Sequence, residues 1–251
     1  MTKLEFTIGK ACSKVTAYLH SYVCENSHES HPALIVLPGG GYRYTSPREA
    51  DPVALRYFAH AVNTFILDYP TDKDILVEKP VETVRQLVRH LIENRKEYGI
   101  DTGRMAVIGF SAGAHLAASY GTVYKGEHLK AMILGYPVIS SREFGHQGSF
   151  QTLCQNEEEK AYYSLEDRVD EDTLPSFIFH TSDDNNVNVR NSLIFADALA
   201  RHNVPFEMHI FPHGVHGLSV ATKETGNRNE EFQSWVDLSI KWLFRQLEFE
   251  E

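Results

Sequence analysis

A chain of 251 residues, 42% hydrophobic and 23% charged, is able to bury a core, and its composition excludes a disordered, collagen-like or coiled-coil protein. Its 34 acidic against 24 basic side chains leave a net charge of −10 with histidine neutral, a field that repels phosphate backbones and anionic lipid, so neither nucleic acid nor a membrane is an expected partner. Cys12, Cys24 and Cys154 show no CxxC spacing and the leading MTKLEFTIGK holds no apolar stretch of signal-peptide length, which together point to a cytoplasmic location.

Taken in chain order, Leu4 to Ile8 and Lys14 to Tyr22 alternate polar and apolar residues at period two, as half-buried antiparallel strands do, and are expected at a sheet edge. From residue 33 the pattern changes to short continuous apolar runs: ALIVLP at 33–38, NTFILDY at 63–69, RMAVIGF at 104–110, KAMILGYPV at 130–138, PSFIFHT at 175–181 and PFEMHIF at 205–211. Strands covered on both faces read this way. Helical spacing separates them, at 48–61, 112–124, 189–202 and 230–247, and most clearly where Val77, Val81, Val84, Leu87, Val88, Leu91 and Ile92 recur ahead of Gly99. Strand and helix alternate five times. The expected fold class is therefore α/β, a mostly parallel central sheet with helices on both faces, formed by residues 1–251 as a single domain. Residues 139–174 break the alternation, and being polar, acidic and longer than a structural connection they read as an insertion or cap.

Gly109-Phe110-Ser111-Ala112-Gly113 lies where the run 104–110 gives way to the helix from 112, placing a serine on a sharp strand-to-helix turn. Such a turn crowds the serine backbone, projects its Oγ above the sheet, and leaves room for little beyond hydrogen at the flanking positions. The amides opening the helix then face whatever Ser111 attacks. Chance produces the same string before many helices, so the strand–turn–helix context carries the weight. After the run 33–38 come three consecutive glycines, Gly39 to Gly41, entropically costly for a mere turn and suited to a backbone that something approaches closely. The amides of Gly40 and Gly41, with Ala112 as partner, are the candidate oxyanion donors, and Tyr42 is held in reserve. GGGYRYTS lacks the G-x-G-x-x-G spacing of a dinucleotide loop, and no cofactor is expected.

A serine nucleophile needs a base, and the base an orienting carboxylate, on loops after later strands. The run 175–181 is followed by Ser182-Asp183-Asp184, and the run 205–211 by His213-Gly214-Val215-His216-Gly217. Asp183 and Asp184 are equally placed by spacing, and one of them can serve the turn instead. His216, between two glycines, is favoured over His213 as the base. The pair His213-x-x-His216 has no third ligand at matching spacing, so no metal is expected. His115, one helical turn beyond Ser111, fits a packed, hydrogen-bonded histidine, and Phe232, Trp235, Trp242 and Leu243 share the core face of the last helix.

PGGGY at 38–42, SPREADPVALRYF at 46–58, GFSAGAHLA at 109–117, HTSDD at 180–184 with VRNSLIFADAL after it, and FPHGVHGL at 211–218 together resemble α/β-hydrolase fold esterases, the branch of acetyl xylan esterases and other small carbohydrate esterases. The resemblance runs from about residue 33 onward and implies an α/β-hydrolase fold with Ser111 as nucleophile, His216 as base and Asp184 as the third member. It further implies a serine esterase cleaving short-chain esters through an acyl-enzyme, with an acetylated sugar or xylo-oligosaccharide as the small-molecule substrate. Tyr42 and Tyr44, and near the cap Tyr136 and the Tyr162–Tyr163 pair, offer flat faces on which a sugar could stack, core packing being the competing explanation. The net negative charge disfavours anionic esters. Two other readings keep the same fold: an amide-cleaving hydrolase, peptidase or formamidase, and a catalytically silent binding scaffold. No sequence feature decides whether the chain forms a homo-oligomer.

Overall fold

The structure, a computed structural model, describes residues 1–20 and 30–250. It opens with β1 (Thr2–Ile8) and β2 (Ser13–Leu19), then β3 (His31–Leu37), α1 (Asp51–Phe58), β4 (Asn63–Asp68), α2 (Pro80–Glu93), α3 (Arg95–Tyr98), β5 (Ile100–Phe110) and α4 (Ala112–Val123). It continues with β6 (Ala131–Gly135), α5 (Gln147–Leu153), α6 (Glu157–Tyr162), β7 (Ser176–Thr181), α7 (Arg190–Arg201), β8 (Phe206–Phe211), α8 (Glu230–Gln233) and α9 (Trp235–Leu247). The strands form one sheet in the order β1-β2-β4-β3-β5-β6-β7-β8, parallel from β4 to β8, with β1 and β2 antiparallel at one side.

Period-two alternation distributes the central strands between two cores. Ile35 and Leu37 of β3 and Met105 and Val107 of β5 face the layer holding α2, α4 and α7. Leu34 and Val36, with Ala106, Ile108 and Phe110, face the layer of α1 and α9, where Tyr57, Trp235 and Leu243 pack. In α2, Val84, Leu87, Val88 and Leu91 are fully buried, each worth roughly 1.5–3 kcal/mol of apolar transfer.

Four sequence expectations are corrected. β1 alternates in and out as an edge strand should, but β2 is paired on both sides, to β1 and to β4 (Val15↔Leu67), and is buried except at Lys14. The partner that covers it lies some fifty residues away, which local alternation cannot reveal. Residues 21 and 22 of that expected strand, and Cys24, lie outside the described residues. β8 is not covered on both faces: it closes the other edge, and Phe206 and Ile210 are exposed. The helix expected from Val77 begins at Pro80, because proline fits the first helical position while Lys79 before it is held extended; Val77 is exposed. The helix expected over 230–247 is divided at Ser234 into α8 and α9.

The chain reverses direction of travel at β3, which lies between β4 and β5, and a crevice therefore opens beyond the carboxyl ends of β3 and β5. Leu37 and Gly109 are in register there, so the glycine loop and the serine turn leave the sheet side by side. Residues 139–174 connect β6 to β7 and contribute α5, α6 and a short 3-10 turn at Leu165–Asp167.

Candidate active site

Ser111 has φ 53° and ψ −116°, left-handed backbone of a kind that costs roughly 1–3 kcal/mol at a residue with a side chain. Neighbouring hydrogen bonds over-determine it. Its amide donates to Gly135 O at 2.9 Å, and its carbonyl accepts from His115 at 3.0 Å and Val138 at 3.2 Å. The flanking glycines are set by contact: a Cβ on Gly109 would stand 2.2 Å from Gly113 O, and one on Gly113 would stand 2.1 Å from Leu37 O. With hydrogen in both places, α4 can descend onto β3 and β5.

His216 bridges the turn to the loop after β7. Its Nε2 lies 2.8 Å from Ser111 Oγ and its Nδ1 2.7 Å from Asp184 Oδ2, so the neutral ring donates from Nδ1 to the carboxylate and accepts the serine proton at Nε2. The ring sits edge-on to Tyr136, centroids 5.0 Å apart. Asp184 Oδ1 accepts the amides of Asn186 and Val187, both at 2.9 Å, and Oδ2 also lies 3.2 Å from His180 Nε2. Burial opposes the Asp184 charge, but the hydrogen bonds from His180, His216 and the Val187 amide outweigh it and hold the carboxyl well below the usual range. The two aspartates that spacing left equivalent are thereby distinguished. Asp183 points outward, its carboxylate on His213 Nδ1 at 3.0 Å and the Gly214 amide at 2.8 Å, an exposed clasp between the two loops.

The glycine loop takes a path that only glycine follows easily. Gly40 has φ +136° and Gly41 φ +64°, and a Cβ on Gly40 would fall 2.0 Å from Tyr44 O. Among the described residues the amides of Gly40, Gly41 and Ala112 donate to no other group. Gly39 N–H instead donates to Glu49 Oε2 at 2.8 Å, and Tyr136 O–H donates to Glu49 Oε1 at 2.6 Å while accepting from Ser219 N–H. Glu49 is thus a buried tie joining the glycine loop to the loop that carries His216. Burial raises its pKa, partly offset by the Tyr136 and Gly39 hydrogen bonds and the nearby His216.

Tyr42, expected beside the substrate, is instead buried at 1% exposure, its hydroxyl on His115 Nδ1 at 2.7 Å. The left-handed turn at Gly41 and Tyr42 directs the ring inward. His115 Nε2–H donates to Tyr163 O at 2.9 Å, so this histidine connects the glycine loop, α4 and the segment 139–174; burial depresses its pKa to about 4, the Tyr163 carbonyl acting the other way. Tyr44 is 60% exposed and lines the cavity over Ser111. Tyr136 and Tyr163 are buried structural groups, and the Tyr162 ring lies under Arg168, so none of the three stands in that cavity.

The cavity measures about 270 Å³ and is bordered by Ser111, His216, Gly40 and Gly41. Arg43, Arg48, Glu49, His146 and Asn186 also line it, none of them picked out from sequence. His146 comes from the segment 139–174 and caps α5, with Nδ1 accepting the Ser149 amide. No pattern in that polar stretch singles it out, whereas Glu49 could have been suspected as a lone carboxylate two residues before Asp51-Pro52 in a run expected to pack. Among the described residues no group of three or more His, Cys, Asp or Glu could hold a metal ion, and no helix is long and apolar enough to cross a membrane.

Comparison with known proteins places these features in context. The profile of the prolyl oligopeptidase family matches residues 75–242, two thirds of the chain. Endo-1,4-beta-xylanase B of Butyrivibrio fibrisolvens is 34% identical over 228 residues, 83% of this chain and 35% of that protein. An acetylxylan esterase of Xylanibacter ruminicola is 29% identical over 203 residues, 76% of this chain and 42% of that protein. The chain therefore spans well under half the length of these two relatives. The crystal structure of an acetyl ester-xyloside bifunctional hydrolase from Caldicellulosiruptor lactoaceticus superposes with a TM-score of 0.83 at 34% identity, covering 96% of this chain and 90% of that one.

Proposed function

Since the chain belongs to the prolyl oligopeptidase family of α/β-hydrolases, we propose that it is a serine esterase that removes acetyl and other short acyl groups from sugars or xylo-oligosaccharides. The observation that carries this reading is the unbroken hydrogen-bond chain Asp184–His216–Ser111, with spans of 2.7 and 2.8 Å, opening on a cavity that Gly40 and Gly41 also line, while the amides of Gly40, Gly41 and Ala112 are uncommitted among the described residues. The acetylxylan esterase and the acetyl ester-xyloside hydrolase among its relatives support the substrate class.

In this reading His216 Nε2 takes the Ser111 proton as Oγ attacks the ester carbonyl, and Asp184 stabilises the imidazolium that forms at Nδ1. The negative charge gathering on the carbonyl oxygen is met by the amides of Gly40, Gly41 and Ala112, which need no reorientation at that moment. Collapse of the tetrahedral intermediate expels the sugar hydroxyl, protonated by His216, and leaves an acyl group on Ser111. Water, deprotonated by the same ring, then releases the acid and restores Ser111. Residues 1–251 are taken as one unit, with 139–174 as the cap that brings His146 to the cavity. A reducing, cytoplasmic setting is part of the same proposal, supported by the free thiols of Cys12 and Cys154.

Ser111→Ala is expected to abolish acetate release from p-nitrophenyl acetate and acetylated xylo-oligosaccharides by several orders of magnitude with the melting temperature retained. Turnover surviving that substitution refutes the nucleophile assignment. Cleavage of prolyl peptides or formamides in preference to acetate esters would replace the esterase reading with an amidase one.

A further inference from the structure

The chain as a whole is strongly anionic, yet its cavity is bordered by two arginines, Arg43 and Arg48, and by one carboxyl group, Glu49. That carboxyl is buried, with both oxygens occupied by Gly39 N–H and Tyr136 O–H, so it offers no oxygen to a ligand; its charge acts on the adjacent Arg48 and leaves Arg43 as the cation on the rim without an acid beside it. Other arginines are committed to acids: Arg85 to Glu127, Arg104 to Asp101, Arg142 to Glu166 and Asp167, Arg201 to Asp197 and Arg245 to Glu207. Arg43 has no carboxylate within ion-pair distance among the described residues, whereas Arg48 donates to Thr225 O at 3.4 Å and interacts electrostatically with Glu49. The two flank the cavity from different sides. Arg43 lies against Gly148 and His146, and Arg48 lies against Gly217 and Gly226.

His146 adds to this wall. Its Nδ1 accepts the Ser149 amide, so in the neutral ring the proton is on Nε2, and the cap contributes a donor. A half-enclosed cavity with guanidinium and imidazole donors, and no available carboxylate, favours ligands rich in acceptors and negatively charged. Cleft walls of low dielectric strengthen such a local field against the opposite net charge of the molecule.

We propose that the preferred substrate carries a carboxylate on its alcohol part, an O-acetylated sugar acid, with Arg43 as its forked partner and His146 Nε2–H as a further donor. This rests on the esterase reading above and reverses the expectation, drawn from net charge, that anionic esters are disfavoured. The charge sits on the part of the substrate that leaves, so binding it orients the acetyl group over Ser111 without adding negative charge where the oxyanion develops.

The test compares two probes that differ only in charge: the tri-O-acetylated methyl glycoside of glucuronic acid and that of glucuronamide, with acetate release as readout and p-nitrophenyl acetate as a common reference. At low ionic strength kcat/KM for the acid is expected to exceed that for the amide about tenfold, and the ratio to fall several-fold in 0.5 M salt, where the Debye length is about 4 Å. Arg43→Gln is expected to bring the ratio close to one, and Arg43→Lys, which keeps the charge but loses the fork, to leave an intermediate ratio. If Arg43→Gln does not fold, the ratio and its salt dependence in the unaltered protein decide the matter alone. A ratio at or below one, or one insensitive to salt and to Arg43→Gln, overturns the proposal while release from the amide leaves the esterase reading standing. Failure to hydrolyse either probe or p-nitrophenyl acetate overturns both.

Discussion

Glu49→Gln replaces one buried oxygen by an amide nitrogen and so separates a structural tie from a spectator acid. Both Glu49 oxygens are acceptors, of Gly39 N–H at 2.8 Å and of Tyr136 O–H at 2.6 Å, and the Tyr136 oxygen already receives Ser219 N–H at 3.0 Å. Glutamine offers one acceptor. Placed with its NH₂ toward Gly39 it sets two donors against each other; placed the other way, it donates to an oxygen that already accepts from Ser219, and the tyrosine proton loses its partner. Either rotamer strands one buried donor, a loss of roughly 1–3 kcal/mol. For a chain of this size that corresponds to a fall in Tm of about 2–12 °C, at about 2–4 °C per kcal/mol. The stranded groups belong to the glycine loop and to the loop carrying His216, so kcat for p-nitrophenyl acetate is expected to fall about tenfold or more with a smaller change in KM. Thermal melts and steady-state kinetics on the same preparation read both effects. An unchanged Tm together with an unchanged kcat would mean that Glu49 is already protonated in the folded protein, since a carboxylic acid resembles the amide, and the tie would not be a carboxylate.

Two further outcomes follow from the loops and the buried histidine. Asp184→Asn should lower kcat by about 10³–10⁴ because the ring loses the acceptor that sets its tautomer, whereas Asp183→Asn, altering only an exposed clasp, should stay within about threefold; comparable losses from both would undo the distinction between them. His115, depressed to about 4, is neutral when folded and takes up a proton near 6.5 when unfolded. The unfolded state therefore binds more protons between those values, and stability falls as pH drops from about 6.5 to about 4, by about 3 kcal/mol in total. Asp184 has the opposite kind of linkage, a lowered carboxylate whose contribution is complete above its unfolded value of 3.8 and lost only as pH falls further, through its folded pKa. The two windows are separate. Denaturant unfolding at pH 7 and 4.5 should show the loss, and His115→Gln, less stable at pH 7, should flatten it; an unflattened slope would assign the acid sensitivity elsewhere.

What was legible in the sequence is what short-range physics writes into neighbouring residues. Continuous apolar runs mark the strands, covered on both faces except at the edge strand β8, and the order of the loops carrying serine, aspartate and histidine follows from the order of those strands, although spacing leaves Asp183 and Asp184 equivalent. The glycines at 109 and 113 could be read as obligatory because the strand–turn–helix junction leaves no room for a Cβ, and the structure attaches contacts of 2.2 and 2.1 Å to that reading. Features set by partners distant in sequence were not legible. β2 is covered by β4, and alternation within β2 is silent about it. Tyr42 follows the glycine run as a substrate-contacting residue would, yet the turn at Gly41 sends it to His115 instead.

Net charge and the local charge at the site point in opposite directions for a related reason. A sum over 251 residues weights every side chain equally, whereas the potential at a cleft is governed by the few charges on its walls and by what neutralises them. Glu49 acts electrostatically on the adjacent Arg48, while its oxygens are held by Gly39 and Tyr136, bonds that keep the glycine loop in place. The group that shapes the oxyanion pocket thereby offsets one rim arginine without offering an oxygen to the substrate, and a molecule of net charge −10 presents Arg43 to its substrate with no carboxylate in ion-pair distance among the described residues.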